Sequence, residues 1–317
     1  MYLKKMIILV FAIYTLLQAD EPSKKLVYIA PDMQIPFWQI MSKGIINKSN
    51  SLSYQLEIYD SKNNPKIELE NIIKSIKNKV SGIVISPTNS SACVTILKLA
   101  KKASIPVVIS DIGTDGGEYI SYISSNNKDG AYKLGQILAT RMNELNYEDR
   151  KVGIIAIPQK RLNGQERTAG FMQALNEANI KGARIVQQLE WTEKETYNYA
   201  KQMISDFPDL RAIWLQSSNV YRGALNAIKD AGKTNEILLI SFDAEPIFLD
   251  LIPKNILVGA AMQQPYLMGQ EALIAMDKYL NKEDSKKHIQ IPILDVSKDN
   301  IKQMLPIIKK NVLGLEE

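Results

Sequence analysis

The sequence predicts an α/β protein built from two doubly wound parallel-sheet domains. Short apolar runs of strand length alternate along the chain with longer segments whose apolar residues recur at helical spacing. Such alternation is typical of right-handed βαβ units around a mainly parallel sheet. The rhythm occurs twice in succession, and the length of 317 residues exceeds that of a typical single domain. No Gly- or Ser-rich linker separates the two sets, so we expect short, ordered connections between the domains.

The first set of elements starts at Lys25. Its strand-like runs are residues 26–30, 54–58, 83–85 and 106–111. Helical patterns start at Pro36, Pro65 and Ala92. The helix from Pro65 is the clearest, because proline suits the first helical position and apolar residues then follow at helical spacing up to Val80. The preceding segment, residues 60–64, is rich in Asp and Asn and predicts a turn.

The second set starts after about Gly130 and repeats the same pattern. Its strand-like runs are residues 152–157, 183–189, 212–215, 237–242 and 257–262. Its helical patterns are residues 165–179, 193–206, 221–231 and 268–280. Because the strand-like runs are almost continuously apolar, we expect both faces of each sheet to be covered.

The first 19 residues have the three parts of a secretory signal peptide. Lys4 and Lys5 form a positive region, residues 6–17 form an apolar run, and Ala19 provides a small residue at the end. The apolar run is shorter than the ~20 residues needed to cross a bilayer. We therefore expect residues 1–19 to direct export to the periplasm and to be removed; the alternative is an uncleaved N-terminal anchor.

The composition disfavours several classes of protein. The only cysteine, Cys93, cannot form an intramolecular disulfide, and the only histidine, His288, leaves little for histidine-based metal sites. The excess of 39 basic over 34 acidic residues is mild and forms no dense basic stripe. The sequence has no Gly-rich phosphate loop, zinc-spaced pair or nucleophile elbow. We expect no enzyme activity, no cofactor, no metal and no nucleic-acid partner.

Polar and aromatic residues follow the strand-like runs of both sets. In open α/β sheets, the ligand crevice lies beyond the carboxyl ends of the strands. Trp38, Asp111, Arg167, Trp191 and Asp243 all fall at such ends. Aromatic faces can stack on a flat ring, while carboxylates and a guanidinium can bind several hydroxyl groups.

Each of these residues also has a structural alternative. Trp38 and Trp191 could be core residues, since tryptophan is buried on average. Asp111 and Asp243 could cap helices, a common role for Asp after a strand. Arg167 could form a surface ion pair with its neighbour in the chain. The sequence alone leaves these alternatives open.

At the strand ends, the chain resembles the periplasmic sugar-binding proteins of the ribose-binding type, from about residue 25 to residue 292. The motifs that carry the resemblance are Ile35-Pro36-Phe37-Trp38, Asp60-Ser61-Lys62-Asn63-Asn64-Pro65, Ile85-Ser86-Pro87-Thr88-Asn89, Ile105-Pro106-Val107-Val108, Gln165-Glu166-Arg167-Thr168-Ala169-Gly170-Phe171, Phe242-Asp243 and Met262-Gln263-Gln264-Pro265. The resemblance implies two α/β lobes that are joined by three crossovers and close on a ligand. It implies an N-terminal lobe of residues 25–126 plus 264–292 and a C-terminal lobe of residues 127–263 plus 293–317.

The resemblance also implies a set of ligand-binding residues. Carried over by position, these are Phe37, Trp38, Asp111, Arg167, Trp191, Ser217, Asp243 and Gln263. The chain departs from the ribose-binding pattern at Ile35 and Ile112, which stand in place of an Asn and an Arg, and at Ser217, which replaces an amide. We therefore expect a ligand other than ribose. We expect Arg167→Ala to abolish ligand binding and to leave the thermal unfolding of the empty protein nearly unchanged; a severe loss of stability without ligand would mean that Arg167 is structural.

The function that the resemblance implies is capture of a small polyhydroxylated ligand, a sugar or a sugar-like molecule, for an ABC-type importer. The alternative is a ligand-sensing co-receptor whose closed form docks on a membrane histidine kinase or chemoreceptor. The expected partner is thus a membrane transporter or a sensor protein, and we expect the binding protein to be a monomer. A cytoplasmic repressor with the same core is disfavoured, because the apolar export segment stands where a helix-turn-helix would be needed.

Overall fold

Two six-stranded sheets organise the part of the chain that the computed structural model describes, residues 24–147 and 149–315. The expected signal peptide, residues 1–19, lies outside these ranges. The strands of the first sheet are β1 (Lys25–Ala30), β2 (Gln55–Asp60), β3 (Gly82–Ile85), β4 (Val107–Ser110), β5 (Tyr122–Ser125) and β11 (His288–Ile291). They lie in the order β11-β5-β4-β3-β1-β2, and every neighbouring pair is parallel.

The second sheet repeats this arrangement. Its strands are β6 (Lys151–Ala156), β7 (Lys181–Gln187), β8 (Leu210–Leu215), β9 (Leu238–Phe242), β10 (Gly259–Met262) and β12 (Leu294–Ser297). They lie in the order β12-β10-β9-β8-β6-β7. Strand β12 pairs with β10 in antiparallel fashion, whereas the other neighbours are parallel. The strand order of the second sheet therefore matches that of the first, strand for strand.

Helices cover the sheets and connect their strands. Those of the first lobe are α1 (Pro36–Ser51), α2 (Pro65–Lys77), α3 (Ser90–Lys102) and α9 (Pro265–Leu280). Those of the second lobe are α4 (Asn127–Glu144), α5 (Leu162–Glu177), α6 (Glu193–Asp206), α7 (Tyr221–Asp230), α8 (Phe248–Leu251) and α10 (Ile301–Ile307). Over the described residues, no helix is both long and apolar enough to cross a membrane.

The period of two along each strand divides its residues between two cores. On β1, Leu26, Tyr28 and Ala30 pack in the cluster that contains residues of α1 and α9. Val27 and Ile29 pack on the opposite face in the cluster that contains residues of α2 and α3. This double burial explains why the strand reads as a continuous apolar run in the sequence.

Within the described residues, the chain passes between the two sheets three times. The passages follow β5, β10 and β11, because the next strand or helix after each belongs to the other lobe. The two sheets and their connections confirm the predicted fold of two mainly parallel α/β lobes.

Two differences from the sequence-based elements bear on the site. The helix expected at residues 165–179 begins earlier, at Leu162, so that Arg161 and Asn163 stand at its start. Strand β5 and helix α4 were not expected, and together they form the first passage between the lobes.

Candidate ligand-binding site

A narrow cavity with a volume of about 30 Å³ lies between the two lobes at the carboxyl ends of the strands. It is lined by Ile35, Phe37, Trp38, Asp111, Ile157, Arg161, Asn163, Arg167, Trp191, Ser217, Asp243 and Gln263. The structure thus brings all eight sequence-predicted residues to one cavity. The first four lining residues belong to the first lobe, the next seven belong to the second, and Gln263 stands at the passage after β10.

The aromatic walls come from opposite lobes. Pro36 starts α1, so Phe37 and Trp38 fall in its first turn, where their rings meet edge to face with centroids 4.8 Å apart. Trp191 follows β7 from the other lobe, and its backbone N–H donates to the Glu195 carboxylate at 3.0 Å. The indole Nε1 of Trp191 is buried and has no hydrogen-bond partner among the residues that the structure describes. Trp38 also packs in the core of the first lobe, so it is a core residue that lines the cavity as well.

The two aspartates occupy equivalent positions in the two lobes. Asp111 follows β4 and Asp243 follows β9, and both adopt left-handed backbone conformations, with φ of 63° and 66°. The backbone N–H of Asp111 donates to the carbonyl of Ile123, and that of Asp243 donates to the carbonyl of Ala261. This geometry turns both side chains into the cavity. Neither carboxylate caps a helix, so the structure contradicts the capping alternative.

The aspartates have different partners. Oδ2 of Asp111 accepts a hydrogen bond of 3.0 Å from Nδ2 of Asn163. Oδ1 of Asp243 accepts a hydrogen bond of 2.6 Å from Nε2 of Gln263, and its Oδ2 lies 3.5 Å from Nη1 of Arg167. Burial raises the pKa of Asp111 to about 7, against the opposing effect of the nearby Arg167 guanidinium. Burial also raises the pKa of Asp243.

Arg167 is held firmly by its own lobe. Its Nε donates to Oδ1 of Asn127 at 3.0 Å, and its Nη1 donates to the backbone carbonyl of Gln216 at 2.8 Å. The guanidinium lies 3.9 Å from the centre of the Phe242 ring. The side chain is buried, so it is not the surface ion pair considered above. These contacts argue against the expectation that Arg167→Ala leaves the empty protein nearly as stable, because removal of the guanidinium would leave several buried polar groups without partners.

The last two predicted residues also face the cavity. Oγ of Ser217 donates to Oδ1 of Asn219 at 2.6 Å. Gln263 is 1% exposed; its Nε2 binds Asp243, and its Oε1 has no partner among the protein atoms.

Four buried polar atoms of the cavity lining therefore lack partners among the described protein atoms. Three are acceptors, namely Oδ1 of Asp111, Oδ1 of Asn163 and Oε1 of Gln263. The fourth is the donor Nε1 of Trp191. An unpaired buried polar group costs about 1–3 kcal/mol, so a ligand that pairs these atoms would gain affinity. Hydroxyl groups can serve all four, because each hydroxyl both donates and accepts.

The charges of the lining nearly balance. Asp111 and Asp243 carry carboxyl groups, and Arg161 and Arg167 carry guanidinium groups. Since buried charges are expensive unless they are paired, such a balanced set suits a neutral ligand better than an ionic one.

Sequence reasoning missed Arg161 and Asn163. Both are buried; Arg161 directly precedes α5, and Asn163 lies in the first turn of that helix. In the first lobe, the equivalent helix α1 carries Phe37 and Trp38 in its first turn. The signal that could have found them is therefore the internal repeat, which places the first strand-to-helix segment of each lobe at the cavity.

Three comparisons with known proteins agree on the kind of molecule. Residues 26–284 match the model of the periplasmic binding protein domain. The chain is 28% identical over 250 residues to the ribose import binding protein of Escherichia coli K12, covering 78% of this chain and 82% of that protein. It is 27% identical over 262 residues to the ribose import binding protein of Haemophilus influenzae, covering 83% and 87% of the two chains.

Solved structures show the same fold. The carbohydrate transporter solute binding protein from Agrobacterium radiobacter, in complex with D-arabinose, has a TM-score of 0.85 to this chain. The two chains are 19% identical, and the match covers 92% of this chain and 100% of the other. A periplasmic solute binding protein from Actinobacillus succinogenes with bound D-allose has a TM-score of 0.81 at 19% identity, with 89% and 100% of the chains covered.

Proposed function

The chain belongs to the periplasmic binding protein family, and we propose that it captures a sugar or sugar-like polyol in the interlobe cavity for an ABC-type importer. The observation that carries the proposal is the set of four unpartnered, buried polar atoms in a cavity walled by Phe37, Trp38 and Trp191. This combination suits a ligand that has hydroxyl groups around its edge and apolar C–H faces. The relatives named as ribose import binding proteins support the assignment to import.

In this function, the ligand is bound and released without a covalent step. Closed lobes remove the ligand from water, so each of its hydroxyl groups needs a partner in the lining. The eight predicted residues supply such partners and stacking surfaces: Phe37, Trp38, Asp111, Arg167, Trp191, Ser217, Asp243 and Gln263. Arg167 mainly orients Asp243, because its own bonds are directed to the second lobe.

We propose a ligand other than ribose. Ile35 lines the cavity in place of an amide, and Ile112, next to Asp111, is fully buried and offers no hydrogen bond. Among the described lining residues of the first lobe, hydrogen-bonding side chains are thus limited to the carboxyl group of Asp111 and the indole N–H of Trp38. A ligand with few hydroxyl groups on the side that faces the first lobe fits this lining best.

The proposal includes export and a membrane partner. Residues 1–19 would act as the signal peptide, and the mature protein would act as a monomer in the periplasm. Deletion of the protein separates import from sensing: lost uptake of the ligand supports import, whereas normal uptake with a lost transcriptional response supports the sensor role.

Native mass spectrometry of the freshly purified protein, followed by a thermal-shift panel of monosaccharides and sugar alcohols, tests ligand capture. A ligand that binds only the folded state stabilises it by about 2.7 kcal/mol at 100 times its Kd. We expect Asp111→Ala to weaken binding of the best ligand about 10- to 100-fold, since it removes a charge-assisted hydrogen bond. The control is Asp299→Ala, at an exposed position in the second lobe. No shift with any polyol, and no small molecule retained, would refute capture of this ligand class.

A further inference from the structure

Residues 161–163, here called the arm, reach from the second lobe to the first. Nε of Arg161 donates to the backbone carbonyl of Thr88 at 3.1 Å, and Nη2 donates to Oδ1 of Asn63 at 2.9 Å. The backbone N–H of Leu162 donates to Oγ of Ser90 at 3.2 Å. With the bond from Asn163 to Asp111, every residue of the arm is hydrogen-bonded to the first lobe.

The surface that receives Arg161 is fixed by a buried carboxyl group. Glu68 on α2 accepts hydrogen bonds from the backbone N–H of Thr88 at 2.6 Å and from its Oγ1 at 3.0 Å. Glu68 is fully buried and Thr88 is 4% exposed. These two bonds hold the Thr88 carbonyl in place as an acceptor for the incoming guanidinium.

The guanidinium of Arg161 also packs against the cavity wall of its own lobe. It lies 5.1 Å from the centre of the Trp191 ring, and the side chain is buried. Both of its side-chain hydrogen bonds nevertheless go to the first lobe. Arg161 is thus placed to influence the distance between the two lobes.

The arm also sets how Asp111 can bind a ligand. Asn163 occupies Oδ2 of Asp111 and leaves Oδ1 as its unpartnered acceptor. Oδ1 of Asn163, itself unpartnered, belongs to the opposite lobe. The pair therefore presents two acceptors, one from each lobe, in an arrangement that exists only when the arm is docked.

We propose, on the basis of the proposed function, that Arg161 is a positioning residue that docks the arm and holds the lobes closed before any ligand is bound. Its hydrogen bonds to Thr88 and Asn63 exist only in the closed form, so they shift the population toward that form. Docking aligns Asn163 with Asp111, so Arg161 raises ligand affinity through lobe closure.

The test measures the distance between the lobes of the ligand-free protein. Spin labels are attached at Lys98→Cys in α3 and at Lys201→Cys in α6. These two positions are exposed and lie on different lobes, whereas the native Cys93 is buried. Double electron–electron resonance should show a population with a short distance between the labels, which corresponds to the closed form. Arg161→Met should lower the ratio of closed to open form roughly tenfold, because two hydrogen bonds are lost. The matched control, Arg184→Met, removes an arginine that pairs with Asp206 within the second lobe, and it should leave the distances unchanged.

A second substitution, in the opposite lobe, separates positioning from folding. Asn63 has a φ of 52°, so Asn63→Gly removes the acceptor in a backbone conformation that glycine adopts readily. It should lower the short-distance population in the native background but have no further effect in the Arg161→Met background. Arg161→Lys should retain part of the closed population, because it keeps the charge and donors.

The measurement needs no sugar, so its outcome is separate from that of the sugar panel. A residue that only stabilised the second lobe would lower the unfolding midpoint and leave the label distances of the folded protein unchanged. Equal distance distributions in the native protein and in Arg161→Met overturn the proposal, whichever ligand the protein binds.

Discussion

Replacing Arg167 by Met should destabilise the empty protein strongly. Nη1 of Arg167 lies 3.5 Å from Oδ2 of Asp243, and the two side chains are 3% and 11% exposed. At an effective dielectric constant of about 20, two unit charges at this separation attract each other by about 5 kcal/mol. Removal of one partner from a buried pair costs about 3–5 kcal/mol, because the other charge is left uncompensated. Asn127 and the Gln216 carbonyl lose their donors as well.

Urea unfolding of the ligand-free protein at pH 8 measures this cost. We expect Arg167→Met to lower the free energy of unfolding by about 3–5 kcal/mol. In the Asp243→Asn background the same substitution should cost less, since an amide leaves no unpaired charge. The double-mutant cycle isolates the contribution of the pair.

The cost should also depend on pH. Burial raises the pKa of Asp243, and loss of the neighbouring cation removes an influence that lowers it. In Arg167→Met the carboxyl group can therefore take up a proton as the pH falls, which removes the unpaired charge. We expect a smaller cost at pH 5 than at pH 8. A decrease of less than about 1 kcal/mol in the free energy of unfolding at pH 8 would refute the reasoning, because an unpaired buried charge should destabilise the protein by more than that.

Three further predictions concern other parts of the molecule. Burial raises the pKa of Glu68 from its usual 4.5 to about 7. The stability that this group contributes is therefore complete below about pH 4.5 and is lost as the pH rises through 7. Between pH 4.5 and pH 8 the free energy of unfolding in urea should fall by about 3 kcal/mol because of Glu68, and Glu68→Gln should lack this part of the fall. Gly170→Ala should destabilise the second lobe by several kcal/mol in the same assay, because its Cβ would lie 2.0 Å from the carbonyl oxygen of Lys128; an unchanged midpoint would contradict this close approach. Trp191→Phe should reduce the change in tryptophan fluorescence on ligand binding, since Trp191 and Trp38 both line the cavity. An unchanged response would contradict a position of Trp191 beside the ligand.

The sheets were predictable because parallel strands that are buried on both faces leave apolar runs in the sequence. Strands β1, β3 and β4 are of this kind. Helix α4 was missed although Leu134, Leu138 and Met142 lie on its buried face at helical spacing. The close contact of α4 with α5 could not be predicted, because it depends on small residues: a Cβ on Gly135 would lie 2.6 Å from the Cβ of Ala174.

The candidate site was only partly predictable. Asp111 and Asp243 were predicted as cavity residues from the strand-end rule and from the family resemblance. Each of these aspartates directly follows a strand, so its position could be inferred from the local sequence. The contacts of Arg161 with the other lobe join residues that are 73 and 98 positions apart in the chain, and such contacts leave no periodic signal. The burial of Arg167 among Asn127 and Gln216 is hidden for the same reason.

Asp111 and Asp243 occupy equivalent positions in the two lobes, but their side-chain partners are arranged differently. Asp243 takes its partners from its own lobe and from the passage after β10, namely Arg167 and Gln263. Asp111 takes its partner, Asn163, from the opposite lobe. The half of the site around Asp243 is therefore complete in the second lobe alone, whereas the half around Asp111 is completed by closure. In the proposed function, the second lobe is then the surface on which a ligand is first held, and the first lobe provides the contact that depends on closure.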